Sequence, residues 1–192
     1  MVKLNDILIK TQQQAVRVGR IIHHMKEFGK SHSQQHVAQD INTLIYDATN
    51  LCMTELKNNN IQLNFELANN LPPVVVDHIQ IEQVIINLIR NSIEALQDLP
   101  ANLHRQLTIR SGITSNRHIQ VSVKDNGLGI DEEQKQKILT PFHTTKINGT
   151  GMGLSISRSL IEAHKGTLYF NSQPGKGCTF YFTLPIDKSE RR

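Results

Sequence analysis

Four side chains at helical spacing, Asn87, Arg90, Asn91 and Glu94, interrupt an otherwise apolar segment. They form one polar stripe on a helix whose Ile81, Ile85, Leu88, Ile89 and Leu96 are suited to burial. Solvated helix faces normally use Lys, Glu and Gln, and two Asn one turn apart lower helix propensity without an obvious gain. The stripe is either an ordinary exposed face or a set of amide oxygens aimed at a hard cation. Magnesium takes oxygen ligands, keeps several waters and is usually shared with nucleotide phosphates. A second candidate is Asp125-Asn126-Gly127-Leu128-Gly129-Ile130, directly after a strand pattern. Its glycines let backbone approach a ligand closely, and Asp125 at a strand end can accept a hydrogen bond from an exocyclic amine. Calcium loops and plain hairpins share this pattern. The third is Gly149-Thr150-Gly151-Met152-Gly153-Leu154, opening a helix whose first N–H groups and dipole attract phosphate. The dinucleotide-binding fingerprint fails here, because no βαβ unit surrounds the glycines and the third comes too early.

The elements that must position these groups follow from periodicity. Leu4, Leu8, Thr11, Ala15, Val18, Ile22 and Met25 trace a heptad seam on a long helix. That seam is covered either by the rest of the chain or, the favoured reading, by a bundle between chains. A polar stretch from Gly29 to Gln39 reads as a linker with a short strand near Val37. Ile41, Leu44, Ile45, Ala48, Leu51, Cys52 and Leu56 then share one helix face, ended by Asn58-Asn59-Asn60. Residues 61–67 alternate as a strand, and Pro72-Pro73 lead into a short buried strand, Val74-Val75-Val76. The helix bearing the stripe covers about 79–96. Paired strands at 106–114 and 118–123 follow, then a short helix at 131–139. A helix at 154–164, a strand at 167–171 and a last strand from Cys178 complete the chain. In that last strand Cys178, Phe180, Phe182 and Leu184 alternate against Thr179, Tyr181 and Thr183. Mixed, hairpin-like strands with early helices predict an α+β two-layer sandwich rather than a doubly wound parallel sheet.

Composition narrows the function classes. The 192 residues are 38% hydrophobic and 20% charged, as in a globular protein able to bury its own core. No run approaches the ~18 apolar residues of a membrane span, and the start lacks a signal-peptide pattern. Two cysteines are too few for a disulfide framework or a zinc site, and both fall on apolar faces. The balance of 21 basic to 17 acidic residues is a small, scattered excess. It argues against nucleic acid, while phosphates of a small ligand or an acidic partner fit.

Taken in order, these segments resemble the nucleotide-binding boxes of the gyrase, heat-shock-chaperone, histidine-kinase and mismatch-repair ATPase superfamily. N-L-I-R-N-S-I-E-A-L from Asn87 is similar to the N box, and D-N-G-L-G-I to the first glycine box. P-F-H-T-T-K from Pro141 resembles the F box of histidine kinases. G-T-G-M-G-L-S-I-S-R-S-L-I-E-A-H-K-G resembles the second glycine box, and G-K-G-C-T-F-Y-F-T-L-P the terminal strand. The resemblance covers about residues 37–185 and lies nearest to sensor kinases of the nitrogen-regulation and oxygen-sensing type. It implies a Bergerat-type ATP-binding fold at 41–187. The segment 1–30 would be the second helix of a dimerisation hairpin, with a linker at 31–40 and a tail at 188–192.

The resemblance also implies roles. Asn91 holds Mg2+, with Asn87 helping directly or through water. Asp125 receives the adenine amine, Gly127, Gly129 and Ile130 carry the loop past the base, and Thr179 supports adenine through water. Arg90 and Lys146 neutralise phosphates, and Thr144, Thr145 and Lys146 belong to a lid. Gly149, Gly151, Met152, Gly153 and Leu154 present backbone to phosphate. Asn87, Asn91 and Lys146 are thus the expected catalytic set. Hydrolytic members place a Glu where Asn87 stands, and an amide cannot be a general base; Glu82 and Glu94 are the nearby carboxylates. The chain departs from the family in lacking a phosphoacceptor His with an acidic neighbour, since His23 and His24 have none. The expected activity is therefore transfer of the ATP γ-phosphoryl to a His outside this chain, for relay to the Asp of a response regulator receiver domain. A superfamily ATPase clamp or a non-catalytic ATP-binding regulatory module is the alternative. Expected partners are ATP/ADP, the receiver domain and a second copy through the N-terminal helix bundle. The expected location is cytoplasmic, in a parent protein that can be anchored in the inner membrane.

Overall fold

A computed structural model describes residues 36–100, 102–140 and 151–186. The heptad helix, His23, His24 and His32, and Thr144, Thr145, Lys146 and Gly149 lie outside the described residues. The described elements are β1 (Val37–Gln39), α1 (Ile41–Asn58), β2 (Ile61–Leu67), β3 (Val74–Val76), α2 (His78–Gln97), β4 (Arg105–Ile113), β5 (His118–Asp125), α3 (Glu132–Lys135), α4 (Gly153–Ala163), β6 (Thr167–Ser172) and β7 (Cys178–Pro185).

Local chemistry starts and stops these elements. Asp40, Asp77 and Asp131 each accept an N–H of the helix that follows, capping α1, α2 and α3. Asn59 closes α1 through backbone bonds to Glu55 and Lys57, and Asn60 takes a positive φ of 53°. α2 buries Ile81, Val84, Ile85, Leu88, Ile89, Ile93 and Leu96; each such side chain stabilises the fold by roughly 1.5–3 kcal/mol relative to exposure.

The main sheet has the order β2-β4-β5-β7-β6. β2 runs parallel to β4 and the other neighbours are antiparallel. This is the expected α+β sandwich, with one face covered by helices and α2 packed against both α1 and α4. β1 is the strand anticipated near Val37, and it pairs antiparallel with β3 in a separate two-stranded sheet. Two expected core positions are instead exposed. Leu51 is 66% exposed because the buried face of α1 runs through Thr49 and Cys52 instead. Val75 is exposed between the buried Val74 and Val76, as alternation in a one-sided strand requires. No helix among the described residues is long and apolar enough to cross a membrane.

Candidate nucleotide site

Asp125 ends β5 and points to the helix side of the sheet, where it is 2% exposed. Its Oδ1 accepts the Gly127 N–H at 2.9 Å and the Cys178 N–H at 3.2 Å. Its Oδ2 lies 3.3 Å from the Ser92 hydroxyl on α2. Burial pushes its pKa up, and these hydrogen bonds pull the other way. Asn126 fixes the chain beside it by accepting the Gln106 N–H at 2.7 Å and donating to His104 O at 2.7 Å. The result is a carboxylate held in one orientation before any ligand arrives.

The amide stripe on α2 faces the start of α4. Asn87 Nδ2 donates to Ser157 Oγ at 2.8 Å. A Cβ on Gly153 would stand 2.3 Å from Asn87 Oδ1, so only glycine admits this approach. α4 opens with Met152 as its N-cap and, unlike the other three helices, has no side-chain cap bond. Gly151 (φ 67°), the buried Met152, Gly153 and Leu154 bring its first turn to the stripe. That is an arrangement suited to phosphate. Asn91, one turn from Asn87, has a buried Nδ2 with no hydrogen-bond partner among the described residues. A buried unpaired donor is costly, and a ligand oxygen or water would satisfy it. Nothing among the described residues bonds this Nδ2, and the oxygen of the same amide suits a hard cation. Among the described residues no group of three His, Cys, Asp or Glu could form a metal cage.

Two expected residues are placed elsewhere. Arg90 is committed to Glu55 of α1, with Nη2 to Oε1 at 3.0 Å; α1 packs along α2 and brings that carboxylate within reach. Thr179 is half-buried on the open face of the sheet, opposite Lys124 and Asn171. There it lines a groove of 310 Å³ with Arg110, Ser122, Lys124 and Tyr181. Register decides this, because Cys178, not Thr179, is opposite Asp125. Burial, then the Asp125 charge, pushes the Cys178 thiol up to about 12, so it is no nucleophile.

The nearby carboxylates on α2 are Glu82 and Glu94. Glu94 is exposed two turns on. Burial raises the Glu82 pKa, and its charged neighbours are His78 and Asp47. Ser92, Ser157, Ser172 and Cys178 were not legible as site residues. The one available signal was Ser92, a hydroxyl set in the apolar spacing between Leu88 and Leu96.

Known proteins are similar to this chain in sequence and fold. Residues 76–188 match the family model of histidine kinase-, DNA gyrase B- and HSP90-like ATPases. Sensor protein FixL of Bradyrhizobium diazoefficiens is 35% identical over 95% of this chain and 36% of its own length. The nucleotide-free catalytic domain of histidine kinase ThkA superposes with a TM-score of 0.67 at 35% identity, covering 78% of this chain and 95% of that one. ThkA in complex with response regulator protein TrrA gives a TM-score of 0.73 at 30% identity, covering 94% of this chain and 50% of that one. The chain spans about a third of the length of the first curated relatives it matches. With residues 76–188 matching the family model, Asn87 of α2 meeting Ser157 of α4 and Ser92 of α2 meeting Asp125 of β5, the chain belongs to the histidine kinase-, DNA gyrase B- and HSP90-like ATPase family.

Proposed function

We propose that this chain is the ATP-binding catalytic domain of a two-component sensor histidine kinase. In this reading it transfers the γ-phosphoryl of ATP to a His outside the chain, for relay to an Asp of a receiver domain. The observation that carries it is Asp125, a buried carboxylate locked by two backbone N–H groups and Ser92. Its remaining acceptor capacity suits the exocyclic amine of adenine. The carbonyl of guanine would set lone pair against lone pair, a mismatch of roughly 1–3 kcal/mol. Asn91, with Asn87, would hold Mg2+, which supplies charge neutralisation at the phosphates. The uncapped start of α4 would bind phosphate oxygens, and Lys146, Thr144 and Thr145 are the further phosphate-binding residues in this reading.

Phosphoryl transfer needs positioning and charge more than a covalent device. Asn87 is an amide tied to Ser157 and cannot activate water. The site therefore favours holding ATP for transfer over hydrolysing it. ThkA is seen with a response regulator, which supports a receiver domain as partner. The heptad pattern in residues 1–30 supports a homodimer through a helix bundle. A cytoplasmic site of action fits the need for ATP.

A thermal melt with saturating Mg-ATP tests the reading. At a hundredfold over the dissociation constant the fold should gain about 2.7 kcal/mol, with a smaller gain from GTP. An unchanged melt, or equal response to ATP and GTP, overturns the assignment. Rapid phosphate release without an acceptor would favour the ATPase clamp.

A further inference from the structure

We infer that Ser172 is a positioning residue for nucleotide-base recognition, acting on Asp125 through a single peptide plane. The inference rests on the nucleotide reading of the site and deepens it. Ser172 is the last residue of β6, 4% exposed, and no sequence pattern marked it. Its Oγ accepts the Ile130 N–H at 2.9 Å and donates to Gly177 O at 2.8 Å. The carbonyl of Gly177 and the N–H of Cys178 belong to one peptide unit, which is planar. That N–H is one of the two backbone donors holding Asp125 Oδ1. Ser172 thus holds the oxygen of a rigid plate whose opposite edge orients the carboxylate. Rotation of the plate breaks both bonds together.

The plate is packed closely against the glycine loop. Gly177 has φ 80°, and a Cβ there would stand 2.1 Å from Asp125 O. The β6–β7 turn lies directly under the glycine loop. Gly175 N–H donates to Leu128 O at 2.6 Å, and a Cβ on Gly129 (φ 73°) would stand 2.1 Å from Gln173 O. The loop from Asp125 to Ile130 and the turn from Gln173 to Gly177 are therefore interlocked. Ser172 is the one side chain bonded to both loops among the described residues, fixing Ile130 on one and Gly177 on the other. None of this touches Asn87, Asn91 or the start of α4, so the effect should be confined to the base.

The experiment uses the full chain with Ser172→Ala and, as a volume-conserving variant with only a weak donor and acceptor, Ser172→Cys. Affinities for ADP and for tripolyphosphate are measured by competition against a fluorescent ATP analogue with Mg2+ present. Amide exchange is followed at Ile130 and Cys178. The expected result is an ADP affinity lower by about tenfold, the cost of one or two lost hydrogen bonds. Tripolyphosphate affinity should stay within a factor of about two, and the two amides should lose protection. Equal loss for both ligands would mean general loosening and would overturn the inference. So would unchanged ADP affinity in a folded variant. If Ser172→Ala does not fold, Ser172→Cys decides on the same ratio. Failure of the unmodified chain to bind ADP or ATP would instead overturn the nucleotide reading itself.

Discussion

The two ends of the candidate site are built differently. At the base end, Asp125 is buried, carries three hydrogen bonds and sits against two interlocked loops. At the other end, among the described residues, Asn91 has an unpaired buried Nδ2, α4 starts without a side-chain cap, and Arg90 is engaged with Glu55. On the proposed reading, the fold fixes the group that would meet the base and leaves Asn91 and the start of α4 for the phosphates. Preorganisation of this kind would give selectivity at the base end.

The largest effect should come from the open end. Asn91→Ala removes an Nδ2 that bonds no described residue, so stability should hold while Mg-dependent ATP affinity falls by about 30–100-fold, or ~2–3 kcal/mol for a charge-assisted contact. Calorimetric titrations with and without Mg2+ check this. If the magnesium dependence survives, the open end is closed by something other than Asn91.

Asp125→Asn sharpens the contrast at the other end. An Asn can keep the Gly127 and Cys178 bonds through its oxygen and donate to Ser92, while placing an NH2 against the adenine amine. ATP affinity should drop by about 1–3 kcal/mol. The folded pKa of Asp125 is raised, so ionising it costs stability as pH rises through the unfolded value and beyond. The Asn variant should thus melt no lower than the unmodified chain at neutral pH. A large fall in melting temperature would show that the carboxylate serves the fold rather than the ligand.

The far end of α4 gives a third test, milder and dependent on pH. His164 Nε2 accepts the Asp77 N–H at 3.1 Å, and Nδ1 meets Leu160 O at 2.8 Å. Burial lowers its pKa, and the Leu160 bond acts the other way. The His36 ring lies 5.0 Å away and also lowers it, while Asp77 raises it. A base with a depressed folded pKa stabilises above its unfolded value and loses that contribution as pH falls. Melting temperature should decline on acidification below about pH 6.5, and His164→Gln should flatten that slope. An unchanged slope would separate the α4 anchor from the acid sensitivity.

The smallest effect belongs to Arg90. Its pair with Glu55 is exposed on both sides, and such pairs are worth about 0–1 kcal/mol. Arg90→Ala should change stability by less than about 1 kcal/mol and ATP affinity by less than about threefold. A loss beyond tenfold, read by the same titration, would show that Arg90 leaves Glu55 when phosphate arrives.

What sequence by itself determined is everything local or periodic. The strong apolar face of α2, the alternation of β7, the aspartate caps and the glycine turns follow from spacing and residue type. Tertiary structure decided which face and which partner. A one-residue step along a strand reverses the side chain, so docking of the helices made Cys178 rather than Thr179 the neighbour of Asp125. Glu55 reaches Arg90 across 35 residues, Ser157 reaches Asn87 across 70, and Ser172 reaches Ile130 across 42. Periodicity carries no record of such contacts, because they arise only when separately formed elements pack and bring single polar groups within 3 Å or so of one another.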